Sequence, residues 1–198
     1  MQGFDRKMNK VLSHKEELSH LTACLLSEVI CSRTSFSWFK AIHRALKCPD
    51  RRFYFWWRIA NYLYRTNKAK KISIRINRNL RNKYGCDLGL GCYIRKNLRI
   101  SHYVGIVISR TCIIGDNFHV LQNTTIGVLN EDIQGKISIG NDVKIGANSC
   151  IISDNITIGD NVYIGAMSFI NKDIPADCIA YTPKSQNEIK IKKQKIIN

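Results

Sequence analysis

Residues 139–170 read IGNDVKIGANSCIISDNITIGDNVYIGAMSFI, and an isoleucine opens almost every sixth position. Extended to both sides, the ladder runs Leu88, Ile94, Ile100, Ile108, Ile114, Val120, Ile126, Ile139, Ile145, Ile151, Ile158, Ile164 and Ile170. Glycine follows the ladder residue at Gly89, Gly115, Gly127, Gly140, Gly146, Gly159 and Gly165, often with Asp-Asn or Asn-Asp next. A period of six is neither helical nor simple alternation. It describes a chain that lays down a short strand of β-branched residues and then turns a corner. Gly, Asn and Asp suit such corners because they tolerate positive φ. Three units close a triangular coil, and stacked coils bury the ladder in a continuous core. The competing reading, an antiparallel β-domain with turns at similar spacing, does not account for thirteen regular positions.

The rhythm breaks at Ser101–Val107, where the phase slips by two residues, and at Gly127–Ser138. A single extra residue also falls between Ile151 and Ile158. Insertions leave a solenoid as loops, often on its binding face. Functional groups are therefore expected at the first two breaks.

The segment from Cys86-Asp87-Leu88 through Lys172 resembles the hexapeptide-repeat acyltransferases. More narrowly it is similar to serine acetyltransferase and to its relatives that O-acetylate sugars of bacterial surface polysaccharides. The resemblance implies a mainly β fold, a left-handed parallel β-helix over residues 85–183. A small basic α-helical region (1–84) is expected before it and a basic tail (184–198) after it. It also implies a homotrimer, with acetyl-CoA in the groove between neighbouring subunits.

Acetyl transfer to a hydroxyl needs a base to take the alcohol's proton as it attacks. An imidazole, ordinarily titrating near about 6.5, suits that role. A carboxylate on its second nitrogen fixes the tautomer and stabilises the imidazolium. His102 lies in Ser101-His102-Tyr103-Val104-Gly105-Ile106-Val107 and resembles the family's catalytic His-x-x-Gly-Ile-Val segment. Asp87, fifteen residues earlier, falls where the family places the partnering aspartate. A coil takes about eighteen residues, so the two can meet on adjoining coils. His119, inside a regular unit, reads as an outward structural residue. Backbone amides near the second break are expected to steady the oxyanion. By motif match Gly127, Ala147 and Ala166 would let the pantetheine arm lie against backbone, with Lys172 and Lys184 meeting phosphates. In the second break the family's Arg-His pair is replaced by Ile133 and Gln134, with Glu131 and Asp132 nearby. Those acceptor-side residues favour a neutral polyol over a carboxylate. The expected acceptor is thus a sugar hydroxyl of a capsule or O-antigen precursor, with L-serine, for cysteine biosynthesis, as the alternative.

The formal net charge of +16 is unevenly spread. Residues 1–84 hold 19 basic against 5 acidic side chains, residues 85–183 hold 7 against 9, and residues 184–198 hold 5 against 1. The basic N-terminal part points to an anionic partner. Nucleic acid is disfavoured, since the basic residues match no binding motif. Helices are expected over 15–31, 35–47 and 51–71, with Ser13 capping the first. Residues 72–83 alternate apolar and basic, which fits a strand or a helix end. The 51–71 stretch, RRFYFWWRIANYLYRTNKAKK, packs on its neighbours in the plain reading. In the sharper one it lies on an anionic membrane. No run of eighteen apolar residues occurs, and the polar Met1–Leu18 stretch does not read as a secretory signal. The eight cysteines fit neither a zinc pattern nor a disulfide framework. A cytoplasmic protein without metal, at most at the inner face of the plasma membrane, is expected.

Overall fold

The computed structural model describes residues 12–32, 35–130 and 135–183. Four helices lead into a parallel β-solenoid of about five coils. Helix α1 (His14–Leu25) runs into a π-helical turn, Leu26–Ile30. Then come α2 (Trp38–Lys47), α3 (Pro49–Arg65) and α4 (Lys70–Tyr84). Ser13 does cap α1, and the Glu16 carboxylate accepts from the Ser13 amide in return. Pro49 occupies the first turn of α3, where its missing N–H costs nothing. The expected 51–71 helix ends earlier, because Asn67 takes a left-handed turn (φ 56°) before α4 begins. The alternating 72–83 stretch belongs to helix α4, which Gly85 terminates at φ 63°.

The solenoid is built from three parallel faces. The first stacks β1 (Cys86–Leu88), β4 (Ile106–Ile108), β7 (Thr125–Gly127), β10 (Cys150–Ile152) and β13 (Phe169–Ile170). The second stacks β2 (Tyr93–Ile94), β5 (Cys112–Ile114), β8 (Lys136–Ile139) and β11 (Asn155–Ile158). The third stacks β3 (Arg99–Ser101), β6 (His119–Leu121), β9 (Lys144–Ile145), β12 (Tyr163–Ile164) and β14 (Ile179–Ala180). The ladder residues pair directly from coil to coil: Leu88, Ile108, Ile126, Ile151 and Ile170 on the first face. Ile94, Ile114, Ile139 and Ile158 do so on the second. All thirteen are buried. At the corner between the second and third faces, Asn97, Asn117, Asp142, Asn161 and Asp177 all adopt positive φ. The side-chain amide of Asn97 donates to Asn117 Oδ1, and that of Asn117 to Asp142 Oδ1. Short polar side chains here supply both the turn geometry and a ladder of hydrogen bonds.

The first coil has no strand above it, and the helices take that place. Trp57 Nε1 donates to Leu88 O, Asn61 Nδ2 to Cys92 O, and Arg58 Nη1 to Ile94 O at 2.6 Å. Arg65 Nη1 reaches Gly91 O, while the Ile100 amide donates to the Tyr54 hydroxyl. Glu28 closes the network: its carboxylate pairs with Arg58 at 2.6 Å and accepts from the Leu98 amide. The 51–71 aromatic run is thus the cap of the solenoid. Phe53, Tyr54, Phe55 and Trp57 are buried, which removes the membrane-surface reading for this helix. Cys24, Cys86, Cys92 and Cys112 are buried, and all eight cysteines are free thiols.

Arg58 is 2 % exposed, so removing its partner strands a charge. Glu28→Ala is expected to cost about 3–5 kcal/mol, read as the midpoint shift in urea unfolding. A second test uses His20, which donates from Nε2 to Ile94 O and stacks on Tyr93. Burial, with help from Arg58, pushes its pKa down from 6.5 to about 3. The unfolded chain takes up this proton below 6.5 and the folded one resists until about 3. Stability should therefore fall on acidification across that window, by up to about 1.4 kcal/mol per pH unit. His20→Gln should flatten that part of the stability–pH curve.

Candidate active site

His102 and Asp87 sit on adjoining coils. His102 follows β3 at the corner entering the first face, and Asp87 is the middle residue of β1 on that face. Between the paired residues Ser101–Leu121 and Val107–Thr125, five residues (102–106) lie where the next coil has three (122–124). The sequence phase slip is therefore a two-residue bulge, and it carries His102 into solvent at φ 61°. Among the described residues nothing hydrogen-bonds to the His102 ring. Asp87 does not meet it directly: Asp87 Oδ2 accepts from Arg81 Nη1 at 3.2 Å, a pair in partial contact with solvent.

Two neighbours hold the bulge. Tyr103 packs its ring against Phe53 and Tyr84, with centroids 4.8 Å and 5.2 Å away. Its hydroxyl donates to Asp50 O. The corner is thereby pinned to α3 and α4. Gly105 takes φ 73° and donates to Gly85 O. A Cβ there would stand 2.2 Å from Asn123 Oδ1 and 3.2 Å from Asn123 Cα, so the fourth position of the motif admits only glycine. His119, as expected, faces outward: its Nε2 lies 2.8 Å from Ser101 Oγ. Burial and the Arg99 and Lys144 charges lower its pKa.

Beside Asp87 opens a cleft of about 970 Å³ between α4 and the solenoid. Its cations are Arg78 and Arg81 from α4, Arg110 from the corner after β4, and Lys136 from β8. Asp87 is its acidic member among the described residues. Neither Arg78 nor Arg110 has an ion-pair partner among the described residues. Sequence reasoning misses this group, because a stretch that fits either a strand or a helix end does not bring Arg78 and Arg81 to the same side as Arg110.

The second break adds one whole repeat unit between β7 and β8. Eight residues (128–135) stand where the next coil has two (153–154). Asp154 holds its start, since Oδ1 accepts from the Leu129 and Asn130 amides at 2.9 Å each. Those two amides are committed to Asp154, and the amides of residues 131–134 lie outside the described residues. Glu131, Asp132 and Gln134 lie outside the described residues, as does Lys184.

The small residues divide into two places. Ala147 and Ala166 stack on the corner that also bears His102, joined by the Met167 amide donating to Ala147 O. Packing there is tight: a Cβ on Gly146 would come 2.4 Å from the Ala166 nitrogen. Gly127 ends β7, and Lys172 is exposed just after β13, at the opposite edge of the first face. Ala147 is half-buried and Ala166 exposed on that corner. Among the described residues no group of three His, Cys, Asp or Glu side chains that would hold a metal occurs.

The described residues from Cys86 onward thus form a parallel β-solenoid whose coils are built from six-residue units. The family described as "Bacterial transferase hexapeptide (six repeats)" matches residues 136–172. The particular relatives are serine acetyltransferases. The chain is similar to the chloroplastic serine acetyltransferase 1 of Arabidopsis thaliana, 36% identical over 98 residues, 49% of this chain and 31% of the relative. It is 37% identical over 114 residues to the Staphylococcus aureus serine acetyltransferase, covering 48% of this chain and 53% of that one. The chain thus spans about half or less of the length of these relatives. The Entamoeba histolytica serine acetyltransferase isoform 3, solved with cysteine, superposes with a TM-score of 0.68 at 27% identity over 89% of this chain and 62% of that one. The Neisseria gonorrhoeae enzyme, solved with serine, shares the fold at 23% identity with a TM-score of 0.68, over 87% and 72%.

Gly105→Ala is expected to cost about 1–2 kcal/mol from the left-handed backbone alone, measured by thermal unfolding. The Cβ clash with Asn123 should add to this and displace the His102 corner.

Proposed function

We propose that the chain is an acetyl-CoA-dependent O-acetyltransferase acting on a small hydroxy acid, L-serine in the first instance. The observation that carries this reading is that Asp87, on the coil adjoining the His102 corner, lines a cleft together with Arg78, Arg81 and Arg110. His102 takes the acceptor's hydroxyl proton as the oxygen attacks the thioester carbonyl, then returns it to the departing CoA thiolate. Asp87 turns from Arg81 to orient the imidazolium as charge develops. Arg78, Arg81 and Arg110 receive the acceptor's carboxylate. The acyl donor lies along Ala147 and Ala166, in the groove of a homotrimer.

The sequence alone favoured a polysaccharide sugar, because the second break lacks the family's Arg-His pair. That argument looked for cations in one loop. The structure supplies them from α4 and the corner after β4, and the relatives are serine acetyltransferases. Both observations favour the serine alternative.

Thiol release from acetyl-CoA should be followed with serine and with a panel of sugars and oligosaccharides. Serine is expected to turn over, and His102→Ala to lower the rate by about 10²–10⁴ while leaving the circular dichroism spectrum unchanged. Arg110→Ala is expected to raise KM for serine more than it lowers kcat. Turnover of sugars alone would overturn the acceptor, and parental turnover by His102→Ala would overturn the catalytic assignment.

A further inference from the structure

Among the described residues, helix α2 carries a continuous strip of exposed apolar side chains. Ser37 caps its start, and its side chain accepts from the Lys40 amide. Ala41 and Ala45 are buried against the body of the helical region. Adjacent to that line runs a second strip that faces outward. Phe39 is 80% exposed, Leu46 65%, Ile42 48% and Trp38 43%. These positions fall within about a quarter-turn of one another at 100° per residue. The remaining arc carries Lys40, His43, Arg44 and Lys47, and the helix has no acidic residue.

The strip is held outward. Arg52 of α3 donates from Nε to Ala45 O at 3.1 Å and from Nη2 to Leu46 O at 2.7 Å. That clamp satisfies carbonyls at the end of α2 and fixes the helix on α3. The helix is therefore folded before it meets anything, which lowers the ordering cost of docking.

We propose that α2 docks on an anionic lipid bilayer, lying in the headgroup layer with Phe39, Ile42 and Leu46 inserted. The chemistry of both arcs fits this occupant. An apolar strip bordered by Lys and Arg is the pattern of an interfacial helix, and Trp38 suits the boundary between acyl chain and water. A second copy of the chain fits less well, since two such strips meeting would set like-charged rows side by side. The net charge of +16 draws the whole molecule toward negative lipid headgroups. No described helix is long and apolar enough to cross a bilayer, so this contact lies on the surface. The surface thus belongs to α2, while the Pro49–Arg65 helix beside it is spent on capping the solenoid.

The test uses the full chain and two vesicle preparations, phosphatidylcholine alone and equal parts phosphatidylcholine and phosphatidylglycerol, in flotation at low salt. The parent is expected to float with the mixed vesicles, to remain behind with phosphatidylcholine alone, and to be released by high salt. The triple variant Phe39→Ser, Ile42→Ser, Leu46→Ser should lose about tenfold or more of this binding with an unchanged circular dichroism spectrum. Lys40→Gln with Lys47→Gln should weaken it without touching the apolar strip. Absence of flotation by the parent overturns the proposal. So does a triple variant that floats like the parent, or one whose sedimentation shows a smaller assembly, which would make the strip a contact between copies. Acetyl transfer is measured on the same variants and should persist, so this outcome is read separately from the catalytic assignment.

Discussion

A parallel β-solenoid cannot satisfy its first coil from within. Every later coil borrows hydrogen-bond partners from the one before, but the first presents an open row of amides and carbonyls. Here polar side chains of the Pro49–Arg65 helix, joined by Glu28, take the place of a missing strand. The arrangement explains why a helix so rich in Arg, Asn and Trp is buried. Trp57, Arg58, Asn61 and Arg65 each donate to a backbone carbonyl of the solenoid, and the Glu28 carboxylate balances the Arg58 charge. Buried polar groups are tolerated when every partner is present. The helical region and the solenoid are therefore one structure, with the joint at their most polar point.

That joint also sets the site. Tyr103 leaves the His102 corner to pack on Phe53 and Tyr84, so the rigidity of the cap is passed to the one exposed imidazole of the first face. The cleft beside Asp87 has one wall of helix α4 and one of solenoid, and its charge comes from both. Asp87 stands between an arginine that holds it now and a histidine one corner away. The geometry suits a carboxylate whose partner changes as charge appears on the imidazole.

What could be read from the residues alone was whatever repeats. The isoleucine ladder, the corner residues, the two breaks and the outward His119 need only local spacing, and each stands where spacing puts it. The cap could not be read this way. Arg58, Asn61 and Glu28 look like the wet side of a surface helix, because their partners are backbone atoms tens of residues away. Ile72, Ile74 and Ile76 alternate like a strand, yet the two former are exposed on a helix. The cationic cleft was hidden for the same reason, since Arg81 and Arg110 meet only after the solenoid has folded. The acceptor inferred from one loop changed once cations from elsewhere entered the same space.

The insertion at 128–135 does not shift the strands that follow, because it amounts to one full repeat unit. Asp154 on the coil below ties its start. Content and scaffold are thereby uncoupled. Descendants of this chain can rewrite the insertion while the pairing on either side of it goes on undisturbed.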